Sequence, residues 1–457
     1  MEGIGPALRA AAPPGVTVSV TGFEQIQAVG SSTGGVAPSV LAEALIAGVA
    51  ALAVLLFVYG SAVAIVPLLI AVPSILTTFL LVSGLTKVTD VSFLVQYLVA
   101  VLGLGIAVDY SLLLITRWRE EREAGRSNEE VILAAWGPAL DKHRLRSGST
   151  TFSRGWERWA TLIVRRRWAA GILGLAIVAG LAAPALSMNT GQPRANSLGG
   201  NGQPAMTLHA LERIGVPSAV VFPIQVLTHG GASEVGGNTA QNVDFNRAVY
   251  GNFPLMLAAI ALLTFLLLAR TFRSAVLAAK AVLVNVVSLG ASFGFLVLFW
   301  QHGFGSNLIY GVPATGSIRN WVPIVSFAFL FGISMDYEVF ILARMREEYD
   351  RTRSTREAVV GALARTGRLV TCAAVILAIS FASLSSAPDV VVEMIATGLG
   401  VGIFVDAVVV RTLLVPALVA IMGRWNWWLP GGLARLLRVP PTTTAGHLAG
   451  AKHPVGR

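Results

Sequence analysis

Residues 105–121 read GIAVDYSLLLITRWREE, and residues 332–348 read GISMDYEVFILARMREE. One Gly, one Ile, the Asp-Tyr pair, two Arg and two Glu fall in register between the two stretches. The same offset carries Ser127 onto Ser354 and Glu130 onto Glu357. Each Ser-x-x-Glu is a capping box that opens an amphipathic helix. Each copy is an apolar run interrupted by Asp-Tyr and closed by Arg-x-Arg-Glu-Glu. Apolar runs of about 20 residues are bilayer-spanning helices. The duplication therefore predicts an all-α polytopic membrane protein built from two repeats, and paired repeats of this kind are common in transporters.

The bulk composition agrees. Of 457 residues, 54% are hydrophobic and 13% charged, against about 25% charged in an average soluble domain. The single cysteine, Cys372, allows no intrachain disulfide and no cysteine metal site. The six histidines are scattered without ligand spacing, so no metal or other cofactor is expected. The net charge of +10 would suggest nucleic acid in a soluble protein. Here the Arg and Lys gather in particular loops, which is the positive-inside pattern, and no nucleic-acid partner is expected. The Pro/Gly/Ala-rich stretch after Met1 does not read as a signal peptide.

About nine spanning helices are expected, near 41–59, 62–84, 92–116, 169–188, 252–270, 274–300, 321–343, 369–387 and 391–421. Arginines cluster after the third (Arg117, Arg119, Arg122, Arg126), before the fourth (Arg154, Arg158, Arg165, Arg166, Arg167) and between the seventh and eighth (Arg344, Arg346, Arg351, Arg353, Arg356, Arg365, Arg368). An odd number of crossings then puts the N-terminus outside, the C-terminus in the cytoplasm and every basic loop on one side. The expected organisation is an extracytoplasmic segment at 1–40, first-repeat helices with a cytoplasmic amphipathic helix at 41–136, a cytoplasmic linker at 137–168 and a spanning helix at 169–188. A reduced extracytoplasmic segment follows at 189–251, then the second-repeat bundle at 252–430 and a disordered cytoplasmic tail at 431–457. The outer segments are read as small pieces of α/β structure, with a strand at Val16–Val20, a helix at 205–213, a strand near Ile224–Leu227 and a loop over 229–241.

Asp109 and Asp336 are the informative residues. A carboxylate at membrane depth costs about 2.5–3.5 kcal/mol on insertion scales. Desolvation opposes its charge and makes proton loading near neutral pH accessible. Tyr110 and Tyr337 beside them can donate hydrogen bonds to the ionised forms. Gly105 and Gly332, one turn earlier, allow close helix approach. The reading is a proton relay between the repeats. The alternative is a purely structural helix–helix hydrogen bond at each Asp. Asp406 is a third carboxylate in an apolar run, with Arg411 five residues on to compensate it, and either a structural or a relay role fits. Lys280, near a helix end, is expected to snorkel to the surface. No nucleotide-binding loop, metal constellation or nucleophile–base pair is present in the sequence, so no enzyme is expected.

The two Asp-Tyr runs resemble those of the MMPL (mycobacterial membrane protein large) transporters of the resistance–nodulation–division superfamily. GLGVGIFVDAVVVRTLLVPALVAIMGRWNWWLP resembles that family's last helix and its Trp-Trp-x-Pro ending, and FRSAVLAAKAVLVNVVSLGASFG resembles its second-half helix pair. The resemblance implies proton-motive-force-driven export of lipids or other hydrophobic molecules across the inner membrane, by monomers or trimers. It also implies that Asp109 pairs with Tyr337, and Asp336 with Tyr110, at the pseudo-twofold centre. A full member of the family has twelve spanning helices and two sizeable outer porter domains. In this chain the first helix and much of both porter domains are missing, and Pro138-Ala139-Leu140 resembles Pro416-Ala417-Leu418 as if two intervening helices were lost. A second reading is therefore a shortened, non-transporting paralogue or accessory partner of a full-length transporter.

Overall fold

The computed structural model describes chiefly residues 40–59, 62–89, 153–194, 203–217, 225–229, 232–387 and 389–437, with short pieces of 11–22 and 91–115. Asp109, the strand expected at Val16–Val20, most of the span at 92–116, the arginines at 117–126, the Ser127 cap and the tail after Pro440 lie outside the described residues.

The chain is helical nearly throughout. The elements used below are α1 (Val40–Tyr59), α2 (Val66–Leu85), α3 (Leu98–Val108), α4 (Arg154–Arg165), α5 (Arg167–Ala182), α6 (Asn238–Phe272), α7 (Ala275–Leu296), α8 (Val322–Thr352), α9 (Thr355–Leu384), α10 (Val390–Val405) and α11 (Val415–Met422). Among the described residues seven helices are long and apolar enough to cross a membrane, with shorter apolar helices at Leu45–Phe57 and Leu98–Val108. The chain is thus a multi-pass membrane protein.

Helices α7, α8, α9 and α10 pack on one another as the centre of the bundle. Leu296, Trp300, Phe327, Phe381 and Leu399 are buried in its core. Helix α5 lies against α7, and α1 lies against α9. The closest approach is at Gly294 on α7, where any Cβ would collide with the carbonyl oxygen of Leu181. On α10 a Cβ at Gly402 would come within 2.8 Å of the Leu330 side chain. Small residues are what let membrane helices approach this closely.

At 31 residues, α8 spans ~46 Å at 1.5 Å per residue, longer than the ~30 Å hydrocarbon core. Its last turns, with Arg344, Arg346 and Arg351, therefore extend past the apolar layer. Ser354 caps α9 by accepting a hydrogen bond from the Glu357 N–H at 3.3 Å. The surface helix and the spanning helix expected as separate elements are one continuous helix, Thr355–Leu384. Its charges, Arg356, Glu357, Arg365 and Arg368, occupy the first four turns, where Arg365 meets the buried Glu348 at 3.1 Å. Helix α6 likewise starts at Asn238, well before the expected 252.

The two ends of the bundle are tied differently. At the arginine-rich end, Trp427 stacks on Tyr349 with ring centroids 4.0 Å apart and donates to Thr355 Oγ1 at 3.1 Å. The Ala275 N–H donates to the Trp428 carbonyl at 3.0 Å. The Trp-Trp ending therefore joins the starts of α7 and α9 to the end of α8. At the opposite end β1 (Thr190–Gly191) pairs in parallel with β4 (Ile318–Arg319). Gln301 Oε1 accepts from the Asn189 N–H at 2.8 Å there. The helix expected at 205–213 is present as Gln203–Arg213. The stretch 229–241, expected to be loop, instead carries the second strand of a hairpin. Here β2 (Gln225–His229) pairs antiparallel with β3 (Ala232–Gly236), and α6 follows at once. Only Gly230 and Gly231 separate His229 from its partner Ala232, which is the length of a two-residue hairpin connection.

Candidate functional site

The Asp-Tyr of α8 falls near the middle of that helix, with Tyr337 on its packed side and Asp336 on its open side. Tyr110, just beyond α3, donates from Oη to Asp336 Oδ2 at 2.6 Å. The distance lies within the ordinary O–H···O range. The bond joins the two copies of the repeat. The pair sits on an open face: Tyr110 is 52% exposed, and Asp336 and Gly332 are exposed too. Gly105 and Gly332 differ in packing. A Cβ on Gly105 would run into the Leu377 side chain, whereas one on Gly332 would meet nothing within 4 Å. Among the described residues, none packs against Gly332.

Tyr337, one residue on, points about 100° further round the helix and is buried at 7% exposure. The Arg411 guanidinium lies over its ring, 4.5 Å from the centroid, within cation–π range. Arg411 also ion-pairs with Asp406 and donates to the Ser334 carbonyl at 2.8 Å. Both members of the ion pair are buried, at 5% and 3% exposure. Asp406 and Arg411 stand in a π-helical segment, Asp406–Leu414, between α10 and α11. Such single π segments recur at functional positions. Their spacing of five residues is one π turn, so the two side chains meet on one face. Asp406 also borders a cavity of about 10 Å³ with Asn285, Ser288, Ser334 and Gly402, close to the room one water needs.

Of two further groups in this region, Glu338 was not singled out from the sequence and Lys280 was expected at the surface. Glu338 is buried at 4% exposure on α8, two residues after Asp336, and Lys280 is buried at 6% on α7. Lys280 does not snorkel. Its Nζ donates to Asn426 Oδ1 at 3.1 Å, because the turn Gly423–Trp427 folds over the start of α7. A Glu inside an apolar run was the available signal for Glu338. No group of three or more His, Cys, Asp or Glu among the described residues could hold a metal.

The family model described as the MMPL family matches residues 2–141 and 218–442. The chain belongs to the MMPL family. The match is interrupted over 142–217, which takes in most of the expected linker, the expected helix at 169–188 and the first part of the outer segment at 189–251. The chain is 29% identical to the mycolic acid-containing lipids exporter MmpL11 of Mycolicibacterium smegmatis, over 84% of this chain and 55% of that protein. It is 30% identical to the putative membrane protein SCO6666 of Streptomyces coelicolor, over 84% of this chain and 70% of that one. It is 34% identical to the trehalose monomycolate exporter MmpL3 of M. smegmatis over 46% of this chain and 20% of that protein. The chain spans about half the length of the MmpL11 proteins it matches. Among solved structures, SecDF of Thermus thermophilus, a translocon-associated membrane protein, shares the fold with a TM-score of 0.52. That likeness comes at 16% identity, over 88% of this chain and 64% of SecDF.

Proposed function

We propose that this MMPL-family chain moves lipids or other hydrophobic molecules outward across the inner (plasma) membrane in exchange for protons, and that it is a transporter rather than an enzyme. The observation that carries this reading is the Tyr110–Asp336 hydrogen bond between the two repeats. An ionisable group at membrane depth costs enough that it is retained for function or for pairing, and this one is both paired and accessible from an open face. In the relay, Asp336 takes a proton from the outer side, its bond with Tyr110 rearranges, and the proton leaves toward the arginine-rich end, which is the cytoplasmic one. Asp109 and Tyr337 form the second, symmetry-related station. The exporter names of MmpL11 and MmpL3 support a lipid as cargo. The test compares cell-surface lipids, by mass spectrometry, in a strain lacking the gene and complemented with wild type or D336N. Loss of one lipid class with D336N, at equal protein level in the membrane, supports the relay. Normal export by D336N sinks it.

A second reading is an accessory chain that works with a full-length family member. The exposed Tyr110–Asp336 face favours it. Stable co-purification with such a transporter, and no export by this chain alone, would establish that reading instead.

A further inference from the structure

Glu338 is a buried acid that the Asp-Tyr relay does not use. It follows Asp336 by two residues, so its side chain leaves α8 about 200° away, into the second-repeat bundle rather than toward the open face. Its neighbours in charge are Asp406, Arg411 and Lys280. Arg411 is already committed to Asp406 and to the Ser334 carbonyl. Glu338 Oε1 has no hydrogen-bond partner among the described residues. An unpartnered buried carboxylate oxygen is costly, and protonation relieves that cost. The first repeat carries Ser111 at the matching position, which turns back on its own helix by donating to the Ala107 carbonyl at 2.6 Å. The acid therefore belongs to one repeat only, although the Asp-Tyr pair is common to both.

Lys280 supplies the next group. It enters α7 five residues after Ala275, ~8 Å along the helix from the arginine-rich end. Its hydrogen bond goes to an amide oxygen, that of Asn426, so no carboxylate is fixed on it. Asn426 in turn is held by the Val419 and Gly423 carbonyls at 2.8 Å each. The lysine is thus positioned by a neutral group that leaves its charge free to change.

We propose that Glu338 and Lys280 form a proton-carrying branch between the Asp336 region and the arginine-rich end of the bundle, with Asn426 positioning the lysine. This rests on the proton-driven reading above. A proton from the Asp336 side binds a Glu338 oxygen. The Lys280 ammonium loses one proton to water at the arginine-rich end. The Glu338 proton then passes to the lysine amine, restoring carboxylate and ammonium. One proton enters and one leaves.

The test is infrared difference spectroscopy on the purified full chain in lipid, between mildly alkaline and mildly acidic pH, with export measured in the same variants. Wild type should gain a buried-carboxyl C=O band on acidification. E338Q should lose one component of that band, D336N should leave that component in place, and K280M should shift it. Export should fall about tenfold or more in E338Q, the scale of a lost proton-transfer group, and K280R should export better than K280M. A band unchanged in E338Q, or normal export by E338Q while D336N is inactive, overturns the branch and leaves the relay standing. Normal export by D336N refutes the relay, whatever the Glu338 band does.

Discussion

Tyr110 donates its phenolic proton to Asp336 at 2.6 Å although 226 residues separate them in sequence. Each comes from the Asp-Tyr of a different repeat, so the bond is the point at which the duplicated halves meet. A typical intramolecular hydrogen bond contributes about 0.5–1.5 kcal/mol net. Y110F keeps the ring and removes only the donor. Export by Y110F is expected to fall by up to about tenfold, with membrane level unchanged, and D336N should fall further. Lipid analysis of complemented cells beside an immunoblot of their membranes checks both. Equal export by Y110F and wild type would mean that the bond only holds the helices together.

The Asp406–Arg411 ion pair makes a different prediction. Both groups are buried, and removing one partner of a buried pair strands the other charge at a cost of about 3–5 kcal/mol. R411M should therefore lose thermal stability sharply in detergent. The double variant D406N/R411M leaves no stranded charge and should recover much of it. Fluorescence-detected size exclusion after heating reads this directly. Recovered stability without recovered export would assign the pair a part in transport besides its part in the fold.

The cap of α9 gives a smaller effect. Ser354 accepts from the Glu357 N–H at the start of a helix whose first turns lie outside the apolar layer. S354A should cost about 1 kcal/mol and S354D very little. A modest fall in the apparent melting temperature, restored in S354D, is the expected pattern. An equal fall in both would show that the serine matters for something other than capping.

The sequence was most legible where it broke its own rule. An Asp-Tyr in an apolar helix is a local violation, and its repetition at a fixed offset marked Asp336 and Tyr110 before any geometry was known. The partner assignment came from the family resemblance, since hydropathy carries no information on which helices touch. Lys280 was misread because distance from a helix end says nothing of what folds over that end, and here Gly423–Trp427 covers it. The π segment at Asp406 was invisible because an Asp and an Arg interrupt an apolar run in the same way whether the run is α- or π-helical. Thr355–Leu384 was divided in two because four charges in its first turns look like a surface helix, although Arg365 is neutralised by Glu348 on α8. The β2–β3 hairpin was missed because a Gly-Gly connection between short polar strands is hard to tell from loop.

Two glycines separate packing from exposure. At Gly294 an added Cβ would overlap the Leu181 carbonyl oxygen, and backbone cannot step aside as a flexible side chain can. At Gly332 an added Cβ would meet nothing within 4 Å. G294A should therefore push α5 off α7 and cost about 1–3 kcal/mol. G332A should be neutral or slightly stabilising, since Ala is the better helix former by about 1 kcal/mol. Thermal stability of the two purified variants in the same detergent decides this. A destabilised G332A would mean that something other than lipid or detergent packs on the Asp336 face, and would point to a partner chain bound there.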